Sequence, residues 1–213
     1  MAAAMTPSKR TIPHVYLTQT MHIQGATDWL AARNADRPPT ERILLGALFV
    51  RAATIAASRV KVLNGHYTDD AFHSSEEVNP GVAVALRGGG LVAPALMDAE
   101  KMSLEETMAG MRDLVTRARA GRLRSSEMTK GTLTVSMLGE TGAEAMSGVI
   151  FPPQVALVGI GAPQTRPWVV DTSVAPRTIV TVTVSADHRV ADGRVIAKYL
   201  AEFEDLVSDP EAL

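Results

Sequence analysis

Residues 179–185 read IVTVTVS, and the chain continues over residues 186–193 as ADHRVADG. In the first part Val180, Val182 and Val184 alternate with threonines, the two-residue period of a strand with one buried face. In the second part the alternation stops. Asp192 and Gly193 then precede Val195, Ile196, Tyr199, Leu200, Phe203 and Leu206, which recur at helical spacing. One segment therefore predicts a strand, a short loop and an amphipathic helix. His188 lies in the loop, between rigid flanks and open to a cleft, where a general base is needed. A plainer reading uses the same residues: Asp192 is the helix N-cap, and Asp187 with Arg189 is a surface ion pair.

Upstream, residues 132–136 (TLTVS), 155–160 and 168–171 also read as strands, as does the alternating segment 14–23. Residues 81–85 and 91–96 are short apolar runs around Gly88, Gly89 and Gly90, the pattern of two strands and a tight turn. Residues 27–34 suit a short helix ended by Pro38 and Pro39. Thr40 suits the cap of a second, well-buried helix carrying Ile43, Leu44, Ala47, Leu48, Ala52, Ile55 and Ala56. Ser103 and Glu106 form a capping box before Leu104, Met108, Met111, Val115 and Ala118, and Gly121 ends that helix. Strands and helices are mixed without regular alternation. This predicts an α+β fold, a mixed β-sheet covered by helices in a single domain over residues 13–213, with residues 1–12 as a tail. The glycine triplet precedes a strand and not a helix, so it fails the structural condition for a phosphate loop.

Composition narrows the function. The chain has 213 residues, no cysteine, and a formal net charge of -2. Without cysteine there is no disulfide framework, zinc ribbon, iron–sulfur site or cysteine nucleophile. The balanced charge supplies no general field for nucleic acid. The most apolar stretch, residues 43–57, is interrupted by Arg51 and falls short of the roughly 20 residues that span a bilayer. A soluble protein, not bound to membrane or nucleic acid, is expected. His14, His22, His66 and His73 read as edge or loop histidines, and no pair has the spacing of a helical zinc site, so no metal is expected. Arg117, Arg119, Arg122 and Arg124 cluster at a helix C-terminus, where they complement the dipole or attract an anionic substrate.

Taken with its flanks, DHRVADG resembles the signature of the 2-oxo acid dehydrogenase acyltransferases, the dihydrolipoyl acyltransferase components. Further blocks resemble that family in order: residues 12–14 (IPH), 79–84 (NPGVAV), 90–94 (GLVAP), 118–123 (ARAGRL), 131–139 (GTLTVSMLG, against the family's GTFTISNLG) and 152–154 (PPQ). The resemblance runs from about residue 8 to the C-terminus. It implies a chloramphenicol-acetyltransferase-like fold and acyl transfer between dihydrolipoyl and coenzyme A thiols through a ternary complex. It implies that His188 is the base, that Ser136 steadies the oxyanion, and that Asp192 orients the histidine region through an arginine. It also implies a homotrimer with the site shared between neighbouring subunits, a larger hollow core, and partners that include a lipoyl domain and dehydrogenase subunits. The lipoyl group is expected on another domain or chain, and the compartment to be the cytoplasm, or the mitochondrial matrix in a eukaryote. Met137 departs from the family's asparagine. Two other readings stand beside this one: coenzyme A-dependent O-acetylation of a small molecule, and an assembly scaffold with reduced catalysis.

Overall fold

The structure is a computed structural model that describes residues 2–86, 88–139 and 142–213. In chain order its elements are α1 (Ala2–Thr11), β1 (His14–His22), α2 (Gln24–Arg33), α3 (Leu45–Arg59), β2 (Gly65–Thr68), β3 (Ala71–Ser74), β4 (Pro80–Val82), β5 (Val84–Ala85) and β6 (Leu91–Val92). Then follow α4 (Leu104–Arg119), α5 (Ser125–Thr129), β7 (Leu133–Met137), β8 (Ala156–Ile160), β9 (Gln164–Val170), β10 (Ser173–Asp187) and α6 (Gly193–Ser208).

The main sheet has the order β1-β10-β8-β7-β4, with β9 pairing to β10. β1, β8 and β9 run antiparallel to β10, while β7 runs parallel to both β8 and β4. The sheet is thus mixed, and its long central strand is the IVTVTVS segment. Val180, Val182, Val184 and Ala186 are buried in one core with Leu48 and Ala52 of α3 and Ile196, Leu200 and Phe203 of α6. The buried Tyr199 hydroxyl donates to Ala53 O at 3.0 Å, which satisfies it inside that core. On the opposite face, Thr18 pairs with Thr183 and Thr20 with Thr181 through their hydroxyls. A small second cluster there joins Ile12, Ile150 and Leu157.

The α+β expectation holds, and so do the strands at 132–136 and 155–160 and the capping box on α4. Three segments differ. Residues 2–11 of the expected tail are helical, because Ser8 is buried and its hydroxyl donates to Ile150 O at 2.6 Å; Met1 lies outside the described residues. The helix expected from Thr40 starts at Leu45. Asn34 grips Ile43 by both its side-chain atoms, Leu44 N–H points at Met108 Sδ, and Arg112 bonds the carbonyls of Thr40 and Arg42, so residues 40–44 stay out of the helix. His66 and His73 lie opposite each other on the hairpin β2–β3 and not in a loop.

Candidate active site

Every residue from Asp187 to Asp192 is held by the backbone or by a cap, apart from one exposed ring. Asp187 N–H donates to Val155 O at 2.9 Å, and His188 N–H donates to Pro13 O at 2.8 Å. Val190 and Ala191 N–H both donate to Asp187 O, which curls the loop tightly. Asp192 then caps α6: its Oδ1 accepts from Arg194 N–H at 2.9 Å and Val195 N–H at 3.0 Å. Inside this turn the Asp187 carboxylate is fully buried. It accepts from the Arg189 side chain through Nε at 3.0 Å and Nη2 at 2.6 Å, and from Arg189 N–H at 3.0 Å. These hydrogen bonds raise the Arg189 pKa against the pull of its partial burial. The His188 side chain is exposed.

Ser136 lies near the end of β7 and is 9% exposed. Its hydroxyl makes no hydrogen bond among the described residues. It shares its face with Thr134, whose hydroxyl donates to Gln154 Oε1 at 2.6 Å. Met137 points to the other face, where its sulfur lies against Gly46 of α3.

The register measures how far Ser136 is from His188. Ser136 lies opposite Gly159 of β8, and Gly159 lies opposite Thr183 of β10. His188 follows Thr183 by five residues, about 16 Å along the strand direction and about 10 Å across two strand spacings. The two backbones are then about 19 Å apart within one chain, beyond the reach of their side chains. The fold brings His188 and Asp192 together on one loop and leaves Ser136 elsewhere.

Among the described residues no arginine side chain contacts the Asp192 side chain. The arginine of this loop is Arg189, and its partner is Asp187. That pair is not a surface pair, since its carboxylate has no exposure. The plain reading of Asp192 as an N-cap is correct. His14 is more than an edge residue: its Nδ1 lies 2.9 Å from Ile12 O and its Nε2 accepts from Ile150 N–H at 3.1 Å. In the arginine cluster, Arg117 forms a bidentate pair with Glu127 and also binds Asp113. Among the described residues no three His, Asp or Glu side chains are grouped as metal ligands. Among the described residues no helix is long and apolar enough to cross a membrane.

Tyr67 was missed in the sequence. Its ring lies under the Arg189 guanidinium at 3.8 Å. It stands two residues before the Asp69–Asp70 pair that turns β2 into β3 with positive φ, and two aspartates in a turn were the only local sign of that hairpin.

Comparison with known proteins identifies the family. A family model described as 2-oxoacid dehydrogenases acyltransferase (catalytic domain) matches residues 1–213. The acetyltransferase component of the pyruvate dehydrogenase complex (dihydrolipoyllysine-residue acetyltransferase) of Zymomonas mobilis is 32% identical over 99% of this chain, which spans 48% of that relative's length. A solved structure of a probable dihydrolipoamide acetyltransferase from Listeria monocytogenes superposes with a TM-score of 0.90 at 27% identity, covering 97% of this chain and 88% of that one. Chloramphenicol acetyltransferase shares the fold, with a TM-score of 0.64 at 10% identity over 96% of this chain and 94% of that one. The chain thus covers about half of that curated relative.

Proposed function

The chain belongs to the 2-oxoacid dehydrogenases acyltransferase family as a catalytic domain, and from that premise we propose that it transfers an acyl group between dihydrolipoyl and coenzyme A thiols. His188 is the general base. A thiol with an ordinary pKa of about 8.5 is mostly protonated at neutral pH, so its nucleophilicity depends on a positioned imidazole. The thiol of one substrate gives its proton to His188, and its sulfur attacks the thioester carbonyl of the other. Negative charge gathers on the carbonyl oxygen, where the Ser136 hydroxyl donates a hydrogen bond. As the carbonyl re-forms, the original carbon–sulfur bond breaks and the imidazolium returns its proton to the departing sulfur. Both reacting thiols belong to substrates, consistent with a chain that contains no cysteine.

The single observation that carries this reading is the exposed His188 ring on a loop whose neighbours are all tied down. Asp192 serves by fixing the start of α6 four residues after the base. Met137 faces away from Ser136, so its departure from the family pattern leaves the hydroxyl untouched. The separation of His188 from Ser136 supports a site completed by a neighbouring copy, in a homotrimer or the larger core built from such trimers. A lipoyl domain and dehydrogenase subunits are the partners of that core, in the cytoplasm or the mitochondrial matrix.

The test is transfer from acetyl-coenzyme A to dihydrolipoamide, run beside a hydroxyl acceptor such as chloramphenicol. His188→Ala is expected to lower thiol transfer by about 10²–10⁴-fold. Unchanged transfer in His188→Ala removes the histidine from the mechanism. Preference for the hydroxyl acceptor favours the O-acetyltransferase reading, and assembly without any transfer favours the scaffold.

A further inference from the structure

The loop that carries His188 is closed on one side by a residue from a distant hairpin. Asp187 and Arg189 flank the histidine and grip each other through a side chain that has no exposure on the carboxylate side and about one third on the arginine side (0% and 33%). An ion pair left open to water is loose, because solvent competes for the guanidinium. Here the guanidinium carbon lies over the Tyr67 ring, 3.8 Å from its centre. Tyr67 is itself held. Its N–H donates to Pro153 O at 2.8 Å, Gly65 N–H donates to Thr132 O at 3.1 Å, and His66 Nε2 lies 2.8 Å from Gly131 O. These contacts pin β2 to the body of the fold. A cleft of about 190 Å³ opens beside them, lined by Tyr67, Asp69, Asp70, Pro153, Asp187 and Arg189.

We propose that Tyr67 is a positioning residue for the His188 loop. Stacked on Arg189, it holds the guanidinium on Asp187, and the Asp187–Arg189 clamp keeps His188 projecting from a single loop geometry. The hairpin β2–β3 thereby sets the aim of the general base without touching a substrate. This inference rests on the acyl-transfer reading for its kinetic effect, but the clamp itself does not. A base displaced by about 1 Å can lose up to two orders of magnitude in rate while substrate binding is unaffected.

The experiment compares Tyr67→Phe and Tyr67→Leu in the full chain. Tyr67→Phe keeps the ring and is expected to match the wild type. Tyr67→Leu removes the ring and is expected to lower kcat about tenfold or more with KM for both thiols little changed. It is also expected to move the NMR chemical shifts of the His188 ring protons. A merely structural role would lower stability without that split and without the NMR change. If Tyr67→Leu does not fold, Tyr67→Met serves in its place with the same expectation. Wild-type kcat and unchanged His188 ring chemical shifts in the ring-less variant overturn the proposal, as does a loss that phenylalanine fails to rescue. If the wild type transfers no acyl group, the functional reading fails alone, and the His188 ring chemical shifts still decide the clamp.

Discussion

Ser136 has a hydroxyl with no hydrogen bond among the described residues, on a strand that is buried except for the half-buried Met137. A donor of that kind is worth most where charge develops during reaction and little in the ground state. Ser136→Ala is therefore expected to lower kcat by about 10²–10³-fold and leave KM nearly unchanged, measured by steady-state acyl transfer. An equal rise in KM would mean the hydroxyl binds the substrate itself. At this scale the sequence was informative where a residue type is rare in its setting. A histidine between a β-branched strand and an amphipathic helix stands out, and His188 was readable as a candidate for that reason. Asp187 was not, because an aspartate beside an arginine reads as solvent-facing. Its complete burial depends on the strands on either side, to which a local pattern is blind.

The corner between α4 and α5 shows how one side chain can join two elements. Glu127 is buried, takes both terminal nitrogens of Arg117, and accepts from Arg124 N–H to start α5. The Arg117 hydrogen bonds hold its carboxyl below the usual range in spite of desolvation. A carboxylate depressed in this way stabilises the fold above its unfolded pKa of about 4.3. That stabilisation is lost as pH falls through the lower folded value. Glu127→Gln is thus expected to lower stability by about 2 kcal/mol near neutrality. The gap to the wild type should stay constant down to about pH 5 and close below about pH 4. Thermal melts across that range measure it, and a gap that persists in acid would show that shape and not charge holds the corner. Among elements, the capping box of Ser103 and Glu106 and the alternation of β10 were legible because both are local signals. The start of α3 was not, because Asn34 and Met108 override the capping propensity of Thr40 from a distance. Neither was α1, whose helix is fixed by Ser8 reaching Ile150.

The sequence marks His188 and Ser136 separately, and their relation belongs to the whole molecule. Strand order and register come from pairings between distant segments. Only through them does the separation of about 19 Å appear, which a resemblance of motifs does not contain. A base and an oxyanion donor that act on one carbonyl must lie within hydrogen-bond reach of it. On the proposed mechanism, a chain that holds them so far apart needs a second copy to complete each site. This makes a sharp prediction for mixtures. His188→Ala and Ser136→Ala chains, each assembled alone, should be almost inactive. Unfolded together and reassembled in equal amounts, they should recover about one quarter of wild-type activity, because in a cyclic assembly each interface draws its histidine from one chain and its serine from the next. One chain supplies an intact histidine half the time, and its neighbour supplies an intact serine half the time. Mixing without unfolding provides the control, with activity expected to stay at the level of the separate variants. If each site lay within a single chain, every site in the mixture would carry one lesion, and activity would stay at the level of the separate variants.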